Sequence, residues 1–321
     1  MSDEDRHEAA DQQATNDRAA GRQTRCGFVG LIGAPNAGKS TLLNALVGTK
    51  VSIVSRKVQT TRVPIRGIAM QGDSQLVFID TPGIFAPRRR LDRAMVDAAA
   101  AVVSDADVVV LLVDTFKGLD DGVEAILKRL GTVPEERRVL VLNKVDRIEK
   151  PKLLALAQEL NSRLPFAATF MISALSGSGV AQLKEHLARA VPEGPWHYPE
   201  DDITDATERM TAAEITREKV YEYLHQELPY QTAVETTGWE ERKDGSVRIE
   251  QTIFVARESQ RRIVLGEGGQ SIKTISRASR KELASMFGRK VHLFLHVKVA
   301  EGWENDPERY REMGLEFPRE N

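Results

Sequence analysis

From Cys26 to about Val191, short apolar runs alternate with amphipathic helical stretches. The strand-like runs are Phe28 to Ile32, Ile65 to Met70, Leu76 to Ile79, Val108 to Val113, Arg138 to Leu142 and Ala167 to Ile172. Helical patterns near 91–103, 119–130, 151–163 and 179–190 intervene. Strands separated by helices predict an α/β, doubly wound sheet. One pair departs from this rule, because residues 65–70 and 75–79 are joined by the hairpin turn Gln71-Gly72-Asp73-Ser74. The sheet is therefore expected to be mixed, mostly parallel with one antiparallel edge strand.

The stretch Val191-Pro192-Glu193-Gly194-Pro195-Trp196-His197-Tyr198-Pro199-Glu200, followed by several acidic residues, breaks every periodicity and reads as a linker. Beyond it the pattern predicts a helix from about Ala212 to Leu228, strands at 231–241 and 247–256 around Lys243-Asp244-Gly245, two helices flanking Gly266-Glu267-Gly268-Gly269, and a strand from Lys290 to Val299. That order, αββααβ, describes a small α+β domain. Residues 1–25 contain no Val, Ile, Leu or aromatic residue, cannot offset their ordering entropy by burial, and are predicted to be a disordered polar tail. The expected division is then a tail at 1–25, a first domain at 26–192, a linker at 193–210, a second domain at 211–303 and a C-terminal extension at 304–321.

Composition changes this picture little. A chain of 321 residues exceeds what one core usually serves, in keeping with two domains. The net charge of -2 excludes a wholly basic protein but hides local asymmetry. The single cysteine, Cys26, excludes a disulfide framework and a cysteine metal site, and reads as a small buried hydrophobe. No apolar run approaches the ~20 residues of a membrane helix, and the N-terminus lacks the apolar segment of a secretory signal. A cytoplasmic chain is expected, with attachment to a membrane surface left open.

The candidate chemistry starts at Gly33-Ala34-Pro35-Asn36-Ala37-Gly38-Lys39-Ser40, a G-x-x-x-x-G-K-[ST] phosphate loop followed by Thr41 and a helical run. Its setting between a strand and a helix is what the motif requires, against the alternative of a glycine turn without a ligand. Backbone N–H groups there can surround phosphate oxygens, Lys39 would reach the β and γ phosphates, and the Ser40 hydroxyl would hold Mg²⁺. Asp80-Thr81-Pro82-Gly83 ends the next apolar strand, where Asp80 would orient Mg²⁺ through water and the Gly83 N–H would meet the γ-phosphate. Asn143-Lys144-Val145-Asp146 follows a further strand at the same sheet edge. The Asp146 carboxylate can accept from guanine N1–H and the 2-amino group, a pairing adenine lacks, and such a site can discriminate by roughly 10⁴-fold. The expected ligands are GTP and GDP. Ser173-Ala174-Leu175 offers backbone to the guanine carbonyl.

Between Gly48 and Ile65 the chain collects Ser52, Ser55, Arg56, Lys57, Gln59, Thr60, Thr61 and Arg62, a loop long enough to be functional. One of its threonines, Thr61 in preference to Thr60, would ligate Mg²⁺ while the γ-phosphate is present and release it afterwards. The predicted metal set is thus Ser40, Thr61 and Asp80, and the catalytic set Lys39, Thr61, Asp80, Gly83 and Asn36. Asn36 is a candidate ligand for K⁺, with a loop-stabilising hydrogen bond as the equal alternative. Ile84 stands where Ras-like GTPases carry a water-positioning Gln, which predicts slow unaided hydrolysis.

In the second domain, Gly266-Glu267-Gly268-Gly269 between two helices fits the G-x-x-G loop of a type II KH domain, whose backbone clamps about four nucleotides of single strand. Nine Lys or Arg against three acids between Arg257 and Lys290 supply a basic face for phosphates. The RNA-contacting candidates are Arg261, Arg262, Gly266, Glu267, Gly268, Gly269 and Lys273, and the acid at Glu267 weakens phosphate contact through its side chain.

A P-loop GTPase domain followed by a linker and a type II KH domain resembles the Era GTPases over about residues 26–305. The more specific strings are Gln59-Thr60-Thr61-Arg62, Ile272-Lys273-Thr274-Ile275, Val291-His292-Leu293, Val297-Lys298-Val299 and Gly302-Trp303. The resemblance implies a monomeric GTP-hydrolysing factor that binds small-subunit (16S) rRNA near its 3′ end through the KH domain, aids assembly of the small ribosomal subunit, and associates in part with the inner face of the cell membrane. Two other readings are an RNA-binding module whose nucleotide site is mainly structural, and an ATP-dependent enzyme such as a kinase, which leaves Asn143 to Asp146 without a role.

Overall fold

The computed structural model describes residues 23–318 apart from 56, 58, 88, 225–227 and 313. Most of the predicted polar tail, Arg56 of the central loop and residues 319–321 therefore lie outside the described residues. The first sheet has six strands: β1 (Arg25–Gly33), β2 (Ile65–Gln71), β3 (Ser74–Asp80), β4 (Val108–Asp114), β5 (Arg138–Asn143) and β6 (Ala168–Ile172). Their order is β2-β3-β1-β4-β5-β6, with only β2 antiparallel to its neighbour. The hairpin at 71–74 and the antiparallel edge strand are as expected.

Helices α1 (Lys39–Val47), α2 (Arg90–Asp105), α3 (Asp121–Leu130), α4 (Lys150–Arg163) and α5 (Val180–Ala190) cover both faces. One core layer joins α1 and α5 to the sheet through Leu42, Leu46, Leu183 and Leu187, and the other joins α2, α3 and α4 through Val103, Ile126, Leu130 and Leu160. Covered on both sides, β3 and β4 are buried at every position, which is why they read as continuous apolar runs. Cys26 is buried at 4 % exposure, as expected of a small hydrophobe.

The second sheet, β7 (Thr232–Glu241), β8 (Val247–Val255) and β9 (Val291–Val299), pairs β7 antiparallel and β9 parallel to the central β8. Helices α6 (Glu208–Tyr223), α7 (Glu258–Leu265) and α8 (Gln270–Met286) pack against the face formed by Val247, Ile249, Ile253 and Val255. The αββααβ order is as predicted, but α6 begins four residues before the expected start and ends before Leu228. Thr207 caps its N-terminus by accepting from the Met210 N–H at 3.2 Å, a signal outside the apolar pattern. At the other end Pro229, in a 3₁₀ turn over Leu228–Gln231, has no N–H to continue the helix.

Two segments behave differently from their sequence appearance. Residues 197–205 of the linker lie along the first sheet: the backbone N–H groups of His197 and Tyr198 donate to Gln75 Oε1 at 2.9 and 3.0 Å, and Ile68 N–H donates to the Ile203 carbonyl at 2.9 Å. The C-terminal extension carries α9 (Pro307–Glu312) and buries Tyr310 and Leu315, with Trp303, against Leu91, Ala94 and Met95 of α2 and Phe254 of β8. The extension thus helps join the two domains.

Candidate functional site

The C-terminal ends of β1, β3 and β5 deliver the predicted motifs to one edge of the sheet. A cavity of about 600 Å³ there is lined by Pro35, Asn36, Gly38, Lys39, Ser40 and Thr41 of the phosphate loop, by 53–55 and 59–61 of the following loop, and by Gly83, Lys144 and Arg147. Gly83 approaches the phosphate loop so closely that a Cβ there would lie 2.9 Å from Pro35 N and Cα. Lys39 donates to the carbonyls of Gly33 and Ala34 at 3.1 Å each. Burial pulls its ammonium down from 10.5 to about 8, with Asp80 opposing the shift.

Asp80 is the hub. Its Oδ2 accepts from Ser40 at 2.6 Å, Ser52 at 2.9 Å and Thr61 at 3.1 Å, and the Ser40 and Thr61 hydroxyls lie 3.0 Å apart. Its Oδ1 is buried without a hydrogen-bond partner, and burial raises the carboxyl's pKa against Lys39 and the three hydroxyls. A buried carboxylate with an orphan oxygen beside two convergent hydroxyls fits a hard, oxygen-seeking cation. Among the described residues no group of three or more His, Cys, Asp or Glu gathers elsewhere to hold one. Thr60 turns away and donates to the Lys57 carbonyl at 3.0 Å, so Thr61 is the threonine at the hub. Ser52 was not singled out from sequence, and a lone serine in a polar loop carries no signal.

The remaining predicted residues divide. Thr81 donates to the Leu31 carbonyl at 2.7 Å and is structural. Ile84 packs into the core with Ile32 and Val113 and does not line the cavity. Asn143 braces the loops, donating to the Ala37 carbonyl at 2.8 Å and accepting from the Ala174 N–H at 3.0 Å. Asp146 is exposed beside Ser173, whose hydroxyl lowers its pKa. Leu175 stands 87 % exposed beside this loop, while Val145 is half-buried.

In the second domain the Gly266, Gly268 and Gly269 backbones have φ of 72°, 56° and 77°, a left-handed turn that admits glycine readily. Glu267, Arg262 and Lys273 project as exposed side chains around it, and Arg261 pairs with Glu258 at 3.1 Å.

The loop between α1 and β2 also forms the wall between the domains, which the sequence did not reveal. Ile53, 2 % exposed, inserts into the second domain's core among Ala212 and Ile215 of α6 and Leu283 of α8. Glu218 on α6, also buried, accepts from the Val54 N–H at 2.8 Å and from Lys50 at 2.6 Å, and Lys50 further pairs with Glu282 of α8. Lys57 donates to the Tyr221 and Leu224 carbonyls, capping the C-terminus of α6. Arg62 donates to the Thr232 carbonyl at 2.7 Å and the Tyr230 carbonyl at 3.1 Å.

Residues 28–144 match the family described as 50S ribosome-binding GTPase, and residues 227–304 match the KH domain family. GTPase Era of Bradyrhizobium sp. (strain BTAi1) is 64% identical over 300 residues, covering 94% of this chain and 97% of that protein. The chain belongs to the Era family of GTPases. GTPase Era of Brucella suis biovar 1 is 60% identical over 296 residues, covering 92% of this chain and 95% of that protein. Two solved Era structures match with a TM-score of 0.86 and 36% identity over 91% of this chain and 99% of theirs. One is an Aquifex aeolicus Era variant bound to GDP and AlF4⁻, and the other is Era in complex with MgGDPNP and nucleotides 1506–1542 of 16S ribosomal RNA. The Era architecture, a P-loop GTPase domain followed by a KH domain, is the one found here.

Proposed function

We propose that this chain hydrolyses GTP as a timed switch, binds the 3′ end of 16S rRNA through its KH domain, and serves assembly of the small ribosomal subunit. Residues 26–192 would handle nucleotide and 211–303 RNA, with α6 shared between them. Lys39 and the phosphate-loop N–H groups hold the phosphates, and Asp146 reads guanine. Ser40 and Thr61 would hold Mg²⁺, with Asp80 behind them through water. The ion supplies charge neutralisation on the phosphates when bound, and Gly83 presents its N–H to the γ-phosphate. Asn36 keeps both of its readings, K⁺ ligand and loop brace. Slow unaided turnover follows from Ile84, which is turned into the core.

The observation that carries the coupling is the double use of one loop. Ser52 and Thr61 meet Asp80 on its nucleotide side, while Ile53 and the Val54 N–H meet α6 and α8 on the other. A ligand that orders this loop therefore stabilises one placement of the KH domain. RNA affinity measured on a fragment matching the 16S 3′ end should be higher with a non-hydrolysable GTP analogue than with GDP. Equal affinities would refute the coupling, and failure of ATP to displace labelled GTP is required by the guanine reading. Peripheral membrane association rests on the family resemblance, and no helix among the described residues is long and apolar enough to cross a membrane. Co-sedimentation with anionic vesicles tests it.

A further inference from the structure

An ion pair joins half-buried Lys144 of the Asn143-to-Asp146 loop to buried Asp114 at the end of β4. Lys144 Nζ lies 2.7 Å from Asp114 Oδ2 and 2.8 Å from the Asn36 carbonyl, so a single ammonium ties the end of β4 to the phosphate loop. The Asp114 side chain is 8% exposed, and its Oδ1 accepts the Phe116 N–H at 3.0 Å, which leaves the carboxylate no freedom to rotate. Thr115 braces the same point, donating its hydroxyl to the Asn143 carbonyl at 2.9 Å and the Lys144 carbonyl at 3.0 Å. Both ends of the bridge are non-glycine residues in the left-handed region, Asn36 at φ 65° and Lys144 at φ 66°. Such backbone persists where surrounding groups over-determine it, and it clusters at ligand clamps.

We infer that Asp114 is a positioning residue for the guanine site, holding Lys144 against the phosphate loop and so setting the lifetime of bound GDP. The logic is local. Lys144 lines the cavity between Asn143 and Asp146, so a guanine accepted by Asp146 must lie beside the Lys144 stem. Without the carboxylate, the ammonium keeps only a neutral carbonyl acceptor, and the loop carrying Asp146 can swing away from the phosphate loop. Base and phosphate recognition then no longer act as one rigid unit, and dissociation quickens, since changes of this kind appear mainly in the off-rate.

The test is release of a fluorescent GDP from the full chain, with Asp114→Asn, Lys144→Met and the double variant. Asp114→Asn keeps the shape and the acceptor for Phe116 but removes the charge. It should speed release by at least about tenfold. Acting through Lys144, it should add less than about twofold to the Lys144→Met background. An off-rate within twofold of wild type, or an effect that multiplies in full onto Lys144→Met, overturns the inference. If Asp114→Asn does not melt cooperatively, Asp114→Ser gives the same comparison with a smaller side chain. This inference rests on the cavity being a GTP site. Wild-type protein that fails to bind GDP would refute that reading, whereas normal binding with unaltered release in the variants refutes only the role of Asp114.

Discussion

Truncating Ile53 tests the coupling at its narrowest point. The side chain is 2 % exposed and packs between α6 and α8 of the KH domain, yet it belongs to the loop whose Ser52 and Thr61 meet Asp80. Replacing a buried Ile by Ala removes apolar contact and leaves a cavity, typically costing about 2–5 kcal/mol. The loss falls on the docked loop and is absent when the loop is undocked, so about 3 kcal/mol would shift that equilibrium by about 100-fold toward undocking. Ile53→Ala should therefore collapse the ratio of RNA affinities between the GTP-analogue and GDP states toward one. GDP affinity should stay within a few-fold, because the loop's hydroxyls matter most when the γ-phosphate is present. Ile53→Val, which costs about 0.5–1.5 kcal/mol, should fall between. Fluorescence anisotropy with a labelled RNA matching the 16S 3′ end, read in both nucleotide states, gives the ratio. An Ile53→Ala protein that melts normally and keeps the wild-type ratio would refute the argument that this loop carries the signal.

Three further outcomes are expected. Without nucleotide, the Lys39 pKa is lowered from 10.5 to about 8, so the folded protein carries the whole cost of the buried charge, about 3 kcal/mol, below pH 8 and sheds it as pH rises toward 10.5. Phosphates restore the charge, so GDP binding should take up about half a proton at pH 8 and about a tenth at pH 7. Calorimetry in buffers of different ionisation enthalpy reads this directly, and no uptake at pH 8 would contradict it. Asp80→Asn keeps the shape that meets Ser40, Ser52 and Thr61 but loses the charge, and should weaken Mg²⁺-dependent GTP binding by about 10- to 100-fold, seen by titrating Mg²⁺. Gly83→Ala places a Cβ 2.9 Å from Pro35 backbone atoms and should lower hydrolysis by about 10²-fold while costing GTP more affinity than GDP. Single-turnover assays with both nucleotides decide it.

Several parts of this molecule were legible in its order of residues because their causes are local. The phosphate loop needs glycines where backbone meets ligand or helix start, the buried strands need continuous apolar runs, and the hairpin at 71–74 needs its Gly. The same holds for the G-x-x-G turn, whose three glycines take positive φ. Where local signals were weak, the sequence misled: α6 carries Thr216, Arg217, Glu218 and Lys219 buried in succession, so no amphipathic stripe marks its limits. Thr216 is buried on the side facing β8, where it donates to Gln251 Oε1 at 2.6 Å, whereas Glu218 is buried on a second face against the GTPase domain, where it and the capped helix end receive Lys50, Val54 and Lys57. The polar loop from 50 to 62 likewise reads as solvent-facing while half of it is an interface.

The two folds, the phosphate-loop motif, the strand end carrying Asn143 to Asp146 and the KH turn could be read from the order of residues, because each depends on residues adjacent in the chain. Long-range packing set the rest: Ser52 joins Asp80, Ile84 faces the core, Asp114 pairs with Lys144 and Ile53 enters the KH core. Each of these joins residues 28 or more positions apart through packing or a hydrogen bond, for which a linear pattern has no period. Periodicity records which face of an element is buried, whereas contacts between domains depend on which other element that face meets.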